Sequence, residues 1–190
     1  MDPIVIFDLE YTTWQECYPD NWDPAKNQYK EIVQIAAAKV HPVTGQIFDT
    51  FDVFTQPEKN PELSEYFTSL TNIIQEDLAE ALTIEQGLQD FCTWGEGHVH
   101  YSWGNDFGVV QENMKLHNLT IPFARRKFLD IRAYFALHGV PAWEYNSGRL
   151  YQHFQIDMTN NEHNALHDVT SIAKSLGALH ESLDSKSKQA

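Results

Sequence analysis

The sequence predicts an α/β fold, a mixed sheet of five strands with helices on its faces. Three observations predict it. The chain opens on Ile4-Val5-Ile6-Phe7, an apolar run short enough for a strand buried on both faces. Two further strand-like runs follow, joined by a short turn containing Gly45. Strand-like and helix-like segments then alternate and end on a long amphipathic helix, whose apolar stripe needs a sheet to pack on.

The first strand continues from Phe7 through Asp8-Leu9-Glu10-Tyr11. Thr12 to Tyr29 is polar, aromatic and turn-rich, with Pro19-Asp20-Asn21 and Asp23-Pro24, and reads as a long surface loop. Loops of that length are uncommon unless functional. Glu31–Val40 is the second strand, His41–Gly45 a turn, and Gln46–Thr55 the third strand, which Pro57 ends. The acidic stretch from Pro61 to Trp94 reads as helical. Ile73, Ile74, Leu78 and Leu82 fit one helix, and Thr83 caps a second that carries Glu85 and Gln86 in its first turn. Val99–Trp103 is a short strand, Asp106–His117 a helix, Phe128–Ile131 a strand, and the segment onward to His138 a helix. Leu150–Gln155 is helical. In the last helix Leu166, Val169, Ile172, Ala173, Leu176, Leu179 and Leu183 recur at steps of three and four.

At 190 residues and 42% hydrophobic, the chain is sized for one globular domain, residues 1–183, with a frayed tail over 184–190. Cys17 and Cys92 are too few for a disulfide framework or a Cys-rich zinc site. No basic leader and no membrane-length apolar run is present, so the expectation is a cytoplasmic protein without membrane contact. Thirteen basic residues against 27 acidic ones give a net charge of −14. That balance argues against gripping a long polyanion through a basic surface, but not against a small anionic end held at bound cations. Arg125-Arg126-Lys127 is the one tight basic cluster and reads as a solvated loop. His98, His100 and His153 have no metal spacing.

The acids carry the chemistry. Asp8 and Glu10 sit two apart on a strand that looks buried, so both carboxylates share one face. Two buried like charges are costly unless a cation or proton compensates. A single D-x-E at this acid content is also what chance supplies, about one per chain. Asp106 stands just past a strand, where it could cap the next helix or join a site at the sheet's carboxyl edge. Asp168 falls in or beside the apolar stripe of the last helix, three after Ala165 and four before Ile172. A solvated Asp would lie on the other face. His163 stands at that helix's start, and histidine, whose ordinary pKa lies near neutrality, is a residue type suited to a general base. An all-oxygen donor set selects Mg²⁺ or Mn²⁺ over zinc, and two such ions can clamp the attacking and leaving oxygens of a phosphoryl transfer.

In this order the residues resemble the DEDD-type 3′–5′ exonucleases, in the histidine-using DEDDh branch. Phe7-Asp8-Leu9-Glu10-Tyr11-Thr12, Asn105-Asp106-Phe107-Gly108 and His163-Asn164-Ala165-Leu166-His167-Asp168 are similar to the three motifs. Glu31-Ile32-Val33-Gln34-Ile35 is similar to the family's second strand, and Leu70-Thr71-Asn72-Ile73 to its L-T-G-I turn with Asn for Gly. Trp103-Gly104-Asn105 and Tyr11 lean toward the Eri-like subgroup that trims RNA 3′ ends. The resemblance implies a ribonuclease H-like fold, with the first three strands antiparallel and the rest parallel. It implies that Asp8, Glu10, Asp106 and Asp168 hold two Mg²⁺ or Mn²⁺ ions and that His163 deprotonates the attacking water. It implies a single-stranded nucleic-acid 3′ end as partner, RNA favoured over DNA, and nucleoside 5′-monophosphates as product. Tyr11 and Trp14 take the positions that meet the terminal nucleotide in relatives. Trp14, Tyr18 and Trp22 could equally form a small satellite core. The competing readings are a non-catalytic binding module or a polymerase-associated proofreading module of the same fold.

Overall fold

The structure, a computed structural model, describes residues 1–17, 21–124, 127–159 and 163–188. Tyr18 of the expected satellite core, the Pro19-Asp20 turn, and Arg125 and Arg126 of the basic cluster lie outside them. In order, the elements are β1 (Ile4–Tyr11), β2 (Ile32–Val40), β3 (Ile47–Gln56), α1 (Glu65–Thr71), β4 (Leu82–Thr83) and α2 (Ile84–Trp94). Then come β5 (His100–Ser102), α3 (Asp106–Leu116), β6 (Phe128–Asp130), α4 (Arg132–Leu137), α5 (Leu150–His153) and α6 (Ala165–Ser187).

One sheet runs β4-β3-β2-β1-β5-β6. β1, β2 and β3 are antiparallel neighbours, and β5 and β6 add in parallel beyond β1. This is the expected mixed sheet, with six strands instead of five. The sixth is Leu82–Thr83, which pairs in parallel with Thr55 and Gln56 at the edge of β3. The spacing of Ile73, Ile74, Leu78 and Leu82 predicts one helix, and that helix does not form. α1 stops at Thr71 because Asn72 turns left-handed (φ 61°) and caps it. Asn tolerates that conformation in place of the Gly of an L-T-G-I turn. The apolar residues beyond it serve a small cluster instead, in which Ile73 and Leu78 pack with Phe67 against Val33.

The central strand separates two cores by simple alternation. Val5, Phe7 and Leu9 pack with Leu88 and Phe91 of α2 and Val109 and Val110 of α3. Ile6 on the other face packs with Phe135 of α4, Leu150 of α5, and Val169, Ile172 and Ala173 of α6. Asp8 and Glu10 share the face of Ile6, so they point toward α6. The β2–β3 turn leans on that helix through two glycines. Gly45, at φ +67°, lies against the Ala173 carbonyl, and Gly177 lies against the Thr44 carbonyl, where a Cβ would collide with backbone. α6 continues to Ser187, into the tail expected to fray over 184–190. No Gly or Pro interrupts it there, and Lys186 in the last turn complements the carbonyl end. No helix among the described residues is long and apolar enough to cross a membrane.

His100 is a core residue. Its ring is 5% exposed, stacks on Phe128 at 4.5 Å, and neither ring nitrogen has a hydrogen-bond partner of normal geometry. Burial pushes its pKa down to about 4. Between pH 6.5 and 4 the unfolded chain therefore takes a proton that the folded chain refuses, so stability falls as pH falls through that window, by about 3 kcal/mol in all. His100→Phe keeps the ring stack and is expected to flatten that part of the melting-temperature profile. An unchanged slope between pH 6.5 and 4 would show that His100 does not carry it.

Candidate active site

Asp8 and Glu10 reach the floor of a cleft from β1, at 7% and 8% exposure. Asp168 meets them from the first turn of α6 at 4% exposure. Carboxylate oxygens of these three lie within 4.8 Å of one another, which no set of bare negative charges would choose. Asp106 lines the same cleft but is not in that close group of three. It is the first residue of α3, directly beyond β5, so the sheet's carboxyl edge delivers it beside the β1 acids.

The electrostatics follow from this crowding. Burial, then the charges of Asp168, Asp106 and Glu10, push the Asp8 carboxyl well above the usual carboxylate range, and the Ser147 hydroxyl offsets part of that. Glu10 is raised by burial and by Asp168 and Asp106. Asp106 is pushed up to about 7, mainly by burial, against a Ser102 hydrogen bond and the Arg132 guanidinium, which pull down. Part of the Asp106 residue remains solvent-accessible, but its Oδ2 is buried without a hydrogen-bond partner. Four acids with only oxygen donors, of which Asp8, Glu10 and Asp106 are held above their ordinary proton affinity, fit a hard divalent cation that replaces the protons.

His163 lines the same cleft. It precedes α6 instead of starting it, with φ at 63°, while Asn164 supplies the cap by accepting the His167 N–H. The cleft, about 320 Å³, is also walled by Tyr11, Trp22, Tyr66, Phe67, Leu70 and Trp103. Tyr11 is one of the cleft-lining residues. Trp14 is half-buried and does not line the cleft. Trp22 lines the wall instead, its indole N–H donating to the Thr12 carbonyl, its ring 5.8 Å from Tyr11, and Lys30 4.5 Å above it. A second cavity of about 460 Å³ lies against His100 and Phe123 and includes none of the four acids.

Sequence reasoning missed Ser147. Its hydroxyl donates to Asp168 Oδ2 at 2.7 Å, and Ser171 Oγ donates to its carbonyl at 2.7 Å, fixing it in place. Asn146-Ser147-Gly148 reads as an ordinary polar turn, and nothing local distinguishes it. Loss of a group that orients a metal-binding carboxylate costs about 10–100-fold in metal affinity or activity. Ser147→Ala is expected to weaken Mn²⁺ binding by that amount, as read by titration calorimetry. Unchanged affinity would make Ser147 a packing residue only.

A profile of the RNase_T family, described as exonuclease, matches residues 5–176. ERI1 exoribonuclease 2 of Homo sapiens is 26% identical over 197 residues, covering 90% of this chain and 27% of that protein. The chain thus spans about a quarter of the length of that relative. The PolC-type DNA polymerase III of Staphylococcus aureus is 37% identical over 90 residues, 47% of this chain and 5% of that protein. The nuclease domain of 3′hExo, a DEDDh family member bound to rAMP, superposes with a TM-score of 0.78 at 26% identity, covering 96% of this chain and 92% of that one. With the family profile spanning nearly all of the sheet and α6 to Leu176, the chain belongs to the RNase_T exonuclease family, in its DEDDh branch.

Proposed function

We propose that the protein is a 3′–5′ exoribonuclease that removes nucleoside 5′-monophosphates from single-stranded RNA or short oligonucleotides. The observation that carries this reading is the convergence of Asp8, Glu10, Asp106, Asp168 and His163 on one aromatic-walled cleft. Two Mg²⁺ or Mn²⁺ ions held by the four carboxylates would supply positive charge to the scissile phosphate and its attacking and leaving oxygens. His163 takes a proton from the attacking water. The new bond joins the water oxygen to phosphorus. The bond from phosphorus to the 3′-oxygen of the preceding nucleotide breaks, and that oxygen is protonated to a new 3′-hydroxyl.

The wall supports a preference for an unpaired end. Tyr11, Trp22, Tyr66 and Trp103 give flat surfaces for a splayed terminal base, and base–aromatic stacking is worth about 1–3 kcal/mol per base. RNA is favoured over DNA because ERI1 exoribonuclease 2 is similar over 90% of this chain and the 3′hExo nuclease domain was solved bound to rAMP. The partial match to a DNA polymerase supports a second reading, a proofreading exonuclease on DNA.

RNA and DNA oligonucleotides of equal sequence, each with a 3′-hydroxyl or a 3′-phosphate, separate these readings. The expected result is a higher kcat/KM on RNA, release of nucleoside 5′-monophosphates, and slow cutting of the 3′-phosphate end. Faster cutting of DNA would favour proofreading. Activity on free nucleotides with none on oligonucleotides would remove both readings.

A further inference from the structure

Helix α6 carries Asp168, and its first turn is closed by a residue from far away. The leading N–H groups of a helix have no partner inside it. Asn164 takes one of them, the His167 N–H, through its side chain at 3.1 Å, and its carbonyl accepts the first bond of the helix from the Asp168 N–H at 3.0 Å. The Ala165 N–H donates instead to Gln34 Oε1 on β2, at 3.2 Å. Gln34 is 1% exposed and sits directly opposite Glu10 in the β1–β2 register.

A carboxamide can offer either its oxygen or its NH₂ group. Asp52 on β3 decides which. It accepts from Gln34 Nε2 at 2.8 Å, and an ionised carboxylate can only accept. The NH₂ group must therefore face Asp52, and the oxygen must face Ala165. Val169, Ile172 and Ala173 hold α6 to the sheet by apolar contact, which is not directional. The hydrogen bond to Ala165 is.

We infer that Asp52 and Gln34 form a relay that sets the start of α6, and through it the distance of Asp168 from Asp8 and Glu10. Gln34 is a positioning residue, and Asp52 fixes the orientation of its amide. The inference rests on the exonuclease reading of that site.

Three variants of the full chain test it: Asp52→Asn, Asp52→Lys, and Asp52→Lys with Gln34→Glu. Asn keeps an acceptor for Gln34. Lys can only donate, so the amide turns and presents its NH₂ group to the Ala165 N–H. Glu at position 34 pairs with the new Lys and returns an oxygen to Ala165. Asp52 is on the surface, so the single variants leave the core intact.

Hydrogen exchange at the Ala165 amide, Mn²⁺ affinity by calorimetry, and kcat and KM on an oligonucleotide are read for each. With Asp52→Lys, exchange is expected to quicken about tenfold, Mn²⁺ affinity to fall about tenfold, and kcat to fall more than KM changes. Asp52→Asn is expected to stay within about twofold of the parent, and the double variant to recover most of the loss. Unchanged exchange and Mn²⁺ affinity in Asp52→Lys would overturn the relay. So would an Asn variant as impaired as the Lys variant, or a double variant no better than Asp52→Lys. A parent protein that cleaves no oligonucleotide counts against the exonuclease reading alone, because exchange and Mn²⁺ binding still decide the relay.

Discussion

Replacing Asp8 with Asn is expected to abolish turnover while raising the melting temperature of the protein in EDTA. The two effects have one cause. Asp8 is 7% exposed, and its carboxyl is held far above its ordinary proton affinity by burial and by three neighbouring acids. Without a cation, that crowding destabilises the folded state, and Asn removes one charge at nearly constant shape. A relief of about 1 kcal/mol corresponds to a rise of about 2–4 °C in a chain of this size. With a cation, the same carboxylate is a ligand. Losing the charge stabilisation it anchors, several kcal/mol, lowers kcat by about 10³-fold or more. An Asp8→Asn protein less stable than its parent in EDTA would contradict the crowding argument.

The parent should show the same crowding as a pH dependence. Asp106 rises from its ordinary 3.8 to about 7, and Asp8 and Glu10 rise as well. An acid whose folded-state pKa is raised keeps a proton that the unfolded chain has released. Stability contributed in this way is lost as pH rises through the window between the two values. Below pH 6.5 the buried His100 works in the opposite direction, so the clean interval is pH 6.5 to 8. There the melting temperature in EDTA should fall with pH. Saturating Mn²⁺ should abolish the fall, because cations bind the deprotonated carboxylates.

Removal of His163 should have the second largest effect. Loss of a positioned general base typically costs 10²–10⁴-fold in rate. His163→Gly is the informative change. The backbone there has φ 63°, which glycine adopts without strain, and the missing ring leaves room for a small base. kcat is expected to fall about 10³-fold with KM and Mn²⁺ affinity nearly unchanged, and added imidazole should restore part of it. A fall in Mn²⁺ affinity equal to the fall in kcat would instead make His163 part of the cation site.

Much of this site was legible before the structure, for a physical reason. A buried strand has no use for two carboxylates two residues apart, and an amphipathic helix has no use for Asp in its apolar stripe. Asp8, Glu10 and Asp168 therefore stand out against the periodicity of their own elements. Asp106 stood out less, because a helix start accepts Asp for local reasons. The features that escaped are those whose partners lie far along the chain. Ser147 meets Asp168 across 21 residues, and Gln34 meets Ala165 across 131. Trp22, not Trp14, lines the cleft, its indole N–H held by the Thr12 carbonyl, a contact composition does not encode. Leu82 has helix-compatible spacing and becomes a strand because β3 has an open edge beside it.

The most direct test of the central claim, that these carboxylates drive cation-dependent hydrolysis from a 3′ end, uses a 5′-labelled single-stranded RNA. It is incubated with the parent protein in Mn²⁺, Mg²⁺ or EDTA, and with Asp8→Ala in Mn²⁺. A ladder shortening from the 3′ end, absent in EDTA and with Asp8→Ala, is the result expected. Intact RNA with folded parent protein that still binds Mn²⁺, or a ladder that survives in EDTA or in Asp8→Ala, would contradict the account.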